Sequence, residues 1–208
     1  MRKWESCFLL SQRSAGVRKE NAMDGETLRL GIFALRTRRV GSVAECMVKR
    51  LRKYGRAKSL FHDLFDEQTG QRIEVKFSTV QQKAKRTVTD ETVFKCIEDA
   101  IAEREPVLFS GWRNNRFDCN IQQVKRREFD VLYYGLFFAD CVQIFRIKSS
   151  DIRTRAEGGD IGYSDWQHKG NIGEGQFHIT EKNLPIHLDK YFHKTLTYDE
   201  LYQLLATD

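Results

Sequence analysis

Proline is nearly absent: only Pro106 and Pro185 occur in 208 residues. Most of the chain is therefore free of the residue that most strongly interrupts helices and strands. Cysteine is sparse and odd in number, with five residues and no Cys-x-x-Cys pair. A disulfide framework and a zinc knuckle are not expected, whereas reduced, mostly buried thiols in a cytoplasm are. No apolar run is long enough to span a bilayer. Met1 to Leu10 is too short, and too interrupted by Glu5, to be the core of a signal peptide. No internal repeat or long low-complexity segment is present.

What is present suits one packed domain: 40% hydrophobic residues for a core and 31% charged residues for its surface. The formal net charge is +6 and the sequence pI about 9.1, which suits a polyanionic partner. The chain divides into an N-terminal arm and helix (1–40), a core (41–152) and a C-terminal part of the same domain (153–208).

Leu60 to Ser78 reads as a β-hairpin closed at Gly70. Ile73, Val75 and Phe77 alternate with Glu74, Lys76 and Ser78. Glu74 and Lys76 lie two residues apart on one face. A four-residue loop, Glu67 to Gly70, pairs Asp66 with Gln71, sets Leu64 opposite Ile73, and brings Asp63 opposite Glu74. A loop one residue shorter slips the register, takes Asp63 off that face and leaves Asp66 as the alternative acid. Two carboxylates on neighbouring strands repel unless a cation lies between them. A hard divalent ion suits such oxygens, and an adjacent ammonium can polarise a water bound to it.

Asp63, followed by Glu74-Val75-Lys76, resembles the PD-(D/E)XK nuclease motif, with His62 where that family has proline. The resemblance extends from about Gly41 to Ile152. It rests also on Gln122 to Leu132 and on Phe145-Arg146-Ile147, which are similar to a segment of many restriction endonucleases. It implies an α/β fold with a central mixed sheet flanked by helices. It further implies a Mg²⁺-dependent, sequence-specific endonuclease of the restriction type, acting on double-stranded DNA as a homodimer or with a partner nuclease subunit. Asp63 and Glu74, with the Val75 carbonyl, would hold the metal, and Lys76 would orient the water. Glu45, on the helix before the hairpin, is either a residue near the metal or a helix cap. Gln123 either approaches the site or is a strand-edge amide. A structure-selective or repair nuclease of the same fold, and a DNA-binding subunit, are the alternatives.

Elsewhere the spacing predicts helical periodicity from Asp24 to Leu35. A helix is expected from Ser42, in a capping box with Glu45, to Gly55. A further helix after Asp90 is expected to bury Val93, Ile97, Ala100 and Ile101. Short strands are expected at Pro106 to Phe109 and Cys119 to Val124, and two fully buried strands at Phe129 to Phe138 and Cys141 to Ile147. Ser149 to Phe177 reads as a long glycine-rich loop. It carries Arg153, Arg155, Gln167, His168, Lys169 and Asn171, side-chain types that read base edges or phosphates. Lys83 and Lys85 form a basic cluster placed for backbone contacts. His168 with Asn171 lacks the further ligands of an HNH nuclease. A strand at Gln176 to Thr180 and a final helix capped near Thr197 complete the chain.

Overall fold

The structure, a computed structural model, describes residues 23–57, 59–84, 86–100, 105–167 and 172–207. The expected N-terminal arm up to residue 22, Lys85, His168, Lys169 and Asn171 lie outside the described residues. No described helix is long and apolar enough to cross a membrane.

Helix α1 (Gly25–Ala34) opens on Asp24, whose carboxylate accepts the Thr27 N–H at 2.7 Å. Helix α2 (Thr37–Arg52) starts about a turn before the expected Ser42 cap, so Ser42 and Glu45 lie inside it and Glu45 caps nothing. Nothing between Arg36 and Gly41 breaks a helix, and Val40 extends the buried stripe of Ala44, Met47 and Val48. Packing, not the capping-box spacing, sets the start. The helix also ends early: Lys53 takes the left-handed conformation, φ 56°, and Gly55 enters the short strand β1 (Gly55–Arg56).

Strands β2 (Leu64–Asp66) and β3 (Gln71–Thr79) form the expected hairpin. Leu64 pairs with Ile73, Phe65 with Arg72 and Asp66 with Gln71, the register of the four-residue loop. Gly70 closes the turn at φ +72°, and its N–H bonds the Asp66 carbonyl at 2.8 Å. Gly70→Ala is expected to cost about 1–2 kcal/mol, because only glycine adopts that conformation freely. Urea unfolding measures it.

After β3 come α3 (Val93–Asp99), β4 (Asp118–Val124), β5 (Val131–Phe137), β6 (Val142–Lys148), β7 (Ser164–Trp166), β8 (Ile172–Thr180), α4 (Leu184–Lys190), β9 (Phe192–Leu196) and α5 (Tyr198–Ala206). The main sheet has the order β1-β2-β3-β5-β6-β9, with β3 and β5 parallel and the other pairs antiparallel. Every residue of β5 is buried, as its unbroken apolar run predicts. The protein is thus a mixed α/β fold.

Helices α1, α2 and α5 cover one face of this sheet. Ile73, Val75, Tyr133 and Ile144 pack there with α1, α2 and α5. The other face, with Leu132, Tyr134, Phe145 and Ile147, packs against a second antiparallel sheet, β4-β8-β7, and against Leu184 of α4. The mixed sheet is thus accompanied by helices, as expected, while one of its faces is shared between α4 and a second sheet that the sequence pattern did not announce. The same cover explains α3, where no described residue is buried and Phe94 and Ile97 are exposed. With β4 and β8 already on the sheet, its apolar stripe has no place to dock.

Pro106 forms only an isolated bridge with Gln81, and Phe109–Asn114 is a 3-10 helix rather than a strand. Trp112 in that helix is buried, with the Arg113 guanidinium 4.5 Å from its ring centroid, so it anchors the segment. The glycine-rich stretch is not one irregular loop. It holds two short 3-10 turns, β7 and most of β8. Gly175 lies so close to Tyr163 that a Cβ would stand 2.2 Å from its hydroxyl oxygen. That contact lets the Tyr163 hydroxyl donate to the Val124 carbonyl at 3.1 Å and lock β4 to the strands beyond.

Candidate active site

β2 begins only at Leu64, opposite Ile73, so β3 has an open edge from Glu74 onward. The chain before Leu64 folds against that edge. The Asp63 N–H donates to the Ile73 carbonyl at 3.0 Å, and Asp63 Oδ2 accepts the Val75 N–H at 2.9 Å. A residue's N–H and C=O leave a strand on the same side, so the Val75 carbonyl faces this edge too. Glu74 and Lys76 project from the face opposite Val75 and Phe77. Lys76 Nζ hydrogen-bonds Glu74 Oε1 and lies 3.8 Å from Asp63 Oδ2. The two acids and the ammonium therefore converge, in the register that places Asp63 and not Asp66 at the site.

Two clefts meet at Lys76. One, of about 240 Å³, is lined by Asp63, Glu74, Lys76 and Gln123, with Leu60, Phe61 and His62 at one side and Lys125, Glu128 and Glu174 at the other. The second, of about 250 Å³, runs from Thr37 and Arg38 past Glu45, Val75 and Lys76 to Asn120, Gln122 and Gln123.

Glu74 is only 8% exposed. Burial pushes its carboxyl up to about 7; Lys76 pulls it down and Asp63 pushes it up further. Burial also raises the Glu45 carboxyl, with the charge of Asp63 adding and that of Lys76 opposing. Glu45 therefore feels the site across the open edge of β3. One ammonium is shared by Asp63 and Glu74, so a cation that joined it would offset the cost of ionising both acids. Two carboxylates and a backbone carbonyl are donors suited to Mg²⁺. Among the described residues no three His, Cys, Asp or Glu side chains form a ready-made cage. Water and a substrate oxygen would complete the shell, as suits an ion that dehydrates reluctantly.

Lys125, Glu128 and Glu174 were not legible as site residues. Lys125 lies 3.1 Å from Glu174 and 3.8 Å from Glu128. The usable signal was topological. Once β3 and β5 are parallel, with Glu74 beside Leu132, the turn leading into β5 must lie near Glu74.

The other candidates are elsewhere. Asp66 Oδ1 accepts the N–H groups of Gln68 and Thr69, at 3.0 and 3.3 Å, and so braces the hairpin turn. Lys83 pairs with Asp118 at 2.8 Å. Arg153 is exposed, its Nε 3.4 Å from the Ser150 carbonyl. Arg155 begins an exposed 3-10 turn, and Gln167 follows β7. None of these five lines either cleft.

Fold and site together define a mixed α/β protein with a part-buried acid–lysine cluster at an open sheet edge. The chain matches no protein-family model, no curated protein and no solved structure at a significant level.

Proposed function

We propose that the protein is a Mg²⁺-dependent endonuclease of the PD-(D/E)XK type that hydrolyses phosphodiester bonds in double-stranded DNA. One observation carries the reading: the Asp63 and Glu74 carboxylates converge on Lys76 at an open strand edge, and Asp63 also accepts the Val75 N–H. Bound there, the ion would supply a Lewis acid and an activated water. Asp63, Glu74 and the Val75 carbonyl would hold it. Lys76 would donate a hydrogen bond to the attacking water and offset charge on the phosphate. Arg38, at the end of the second cleft, is available for a backbone phosphate. Sequence-specific cutting of both strands calls for two such sites, hence a homodimer or a partner nuclease subunit.

The test is supercoiled plasmid incubated with the purified chain and Mg²⁺, with Asp63→Asn alongside. Discrete linear fragments from the wild type, absent with Asp63→Asn, are the expected result. Intact plasmid in both Mg²⁺ and Mn²⁺ rejects the reading. Asp63→Asn is expected to lower the rate by about a hundredfold or more, since it removes a charged ligand and retains an acceptor for the Val75 N–H.

A structure-selective nuclease is the second reading, favoured by Leu60 and Phe61. Both are exposed at the rim of the catalytic cleft, where apolar side chains can stack on unpaired bases. Preferential cutting of branched or flapped duplexes over plain duplex supports it.

A further inference from the structure

The ladder between β4 and β8 contains a fault beside the site. Ile121 pairs with Phe177 and Val124 with Gly175, so Gln122 and Gln123 together oppose the single residue Gln176. That is a β-bulge, a feature that re-aims side chains. Gln123 holds φ 56°, a left-handed conformation that long side chains rarely adopt. Both glutamines are exposed, and neither side chain has a hydrogen-bond partner among the described residues.

The bulge itself does not call for glutamine, since glycine would take that conformation without strain. The strain is nevertheless retained where the two clefts meet, and Gln123 lines both of them beside Lys76. Gln122 and Asn120 continue the row along the second cleft. Asn120 Nδ2 donates to Gln176 Oε1 at 2.9 Å, which fixes the amide behind the bulge. A carboxamide offers a donor and an acceptor side by side, the pattern that pairs with adenine in the major groove, and a β-ribbon fits that groove.

Building on the nuclease reading above, we propose that the Gln122–Gln123 bulge reads base edges of the DNA held at Lys76, so that β4 sets the sequence preference of cleavage. The experiment exposes the full chain and a Q122A/Q123G double variant to a randomised duplex library. Ca²⁺ replaces Mg²⁺ so that the DNA is held uncut, and the retained duplexes are sequenced. Glycine at 123 accepts the left-handed conformation, so the variant keeps the bulge. Melting curves of both proteins check this.

The wild type is expected to favour particular base pairs at one or two positions by about tenfold each. The variant is expected to lose that preference and hold duplexes through their phosphates alone. Identical preferences in the two proteins overturn the proposal and leave the nuclease reading standing. Binding by the wild type without any preference does the same. Failure of the wild type to retain any duplex removes the nuclease reading, and this proposal with it.

Discussion

Lys76→Met is expected to cleave plasmid DNA about a thousandfold more slowly than the wild type while still taking up the metal. The magnitude is that of removing one preorganised charge or proton-transfer partner from a reacting centre. Methionine keeps an unbranched apolar stem, so the packing around β3 is little disturbed. Lys76 Nζ now shares itself between Glu74 and Asp63. Its loss leaves both acids without a counter-charge and should hold or raise divalent-ion affinity. A lysine that served only as a structural ion pair would give a different pattern, with lowered stability and an unchanged rate in the surviving folded protein. Single-turnover cleavage and a metal titration of the same preparation separate the two.

Glu74→Gln is expected to do the opposite to fold and function: it abolishes cleavage and stabilises the metal-free protein at alkaline pH. The folded carboxyl titrates at about 7, against an ordinary 4.5. Between those values the folded chain holds a proton that the unfolded chain has released. The stability contributed by this group is therefore present in full below about 4.5 and is lost as pH rises through about 7. The loss is of order 3 kcal/mol above pH 7, and glutamine, which has no charge to desolvate, avoids it.

His187 works in the reverse direction. It is fully buried, with Nδ1 2.9 Å from the Tyr134 hydroxyl, and burial lowers it to about 4 from 6.5. Its neutral form is the folded one, so its contribution is complete above about 6.5 and is lost as pH falls through about 4. The two trends overlap and partly cancel in the wild type. The quantity to measure is the difference in urea-unfolding free energy between Glu74→Gln and the wild type, in EDTA, at pH 5 and pH 8. A difference that fails to grow with pH contradicts the buried-carboxylate account. Mg²⁺ should close the gap at pH 8 by stabilising the wild type alone.

The parts of this fold legible in the sequence are those set by short-range rules. Strand alternation gives the face shared by Glu74 and Lys76, and the four-residue loop ending at Gly70, one of two the sequence allows, gives the register that brings Asp63 to it. The near-continuous apolar runs of β5 and β6 give two strands covered on both faces. Where competing long-range packing decides, local pattern failed. Val93 and Ile97 form a correct helical stripe, but periodicity does not say whether a face is available to receive it. Ser42 and Glu45 have a capping-box spacing, yet burying Val40 carries α2 past them. Glu128 and Glu174 reach the cleft only through the parallel β3–β5 pair and the second sheet, and neither leaves a mark within a short window. The left-handed backbone at Gln123 is likewise set by pairing with β8, in a residue type that does not advertise it.

The brevity of β2 has an evolutionary corollary. Because the Asp63 carboxylate stands in for a missing neighbour strand at the Val75 N–H, drift at this position is constrained by folding as well as by chemistry. On the nuclease reading proposed above, a descendant that had given up hydrolysis would still be selected to keep a short acceptor at 63, such as Asn or Ser. Position 76 would be free to vary. Inactive descendants of this chain should therefore lose the lysine first and the aspartate last.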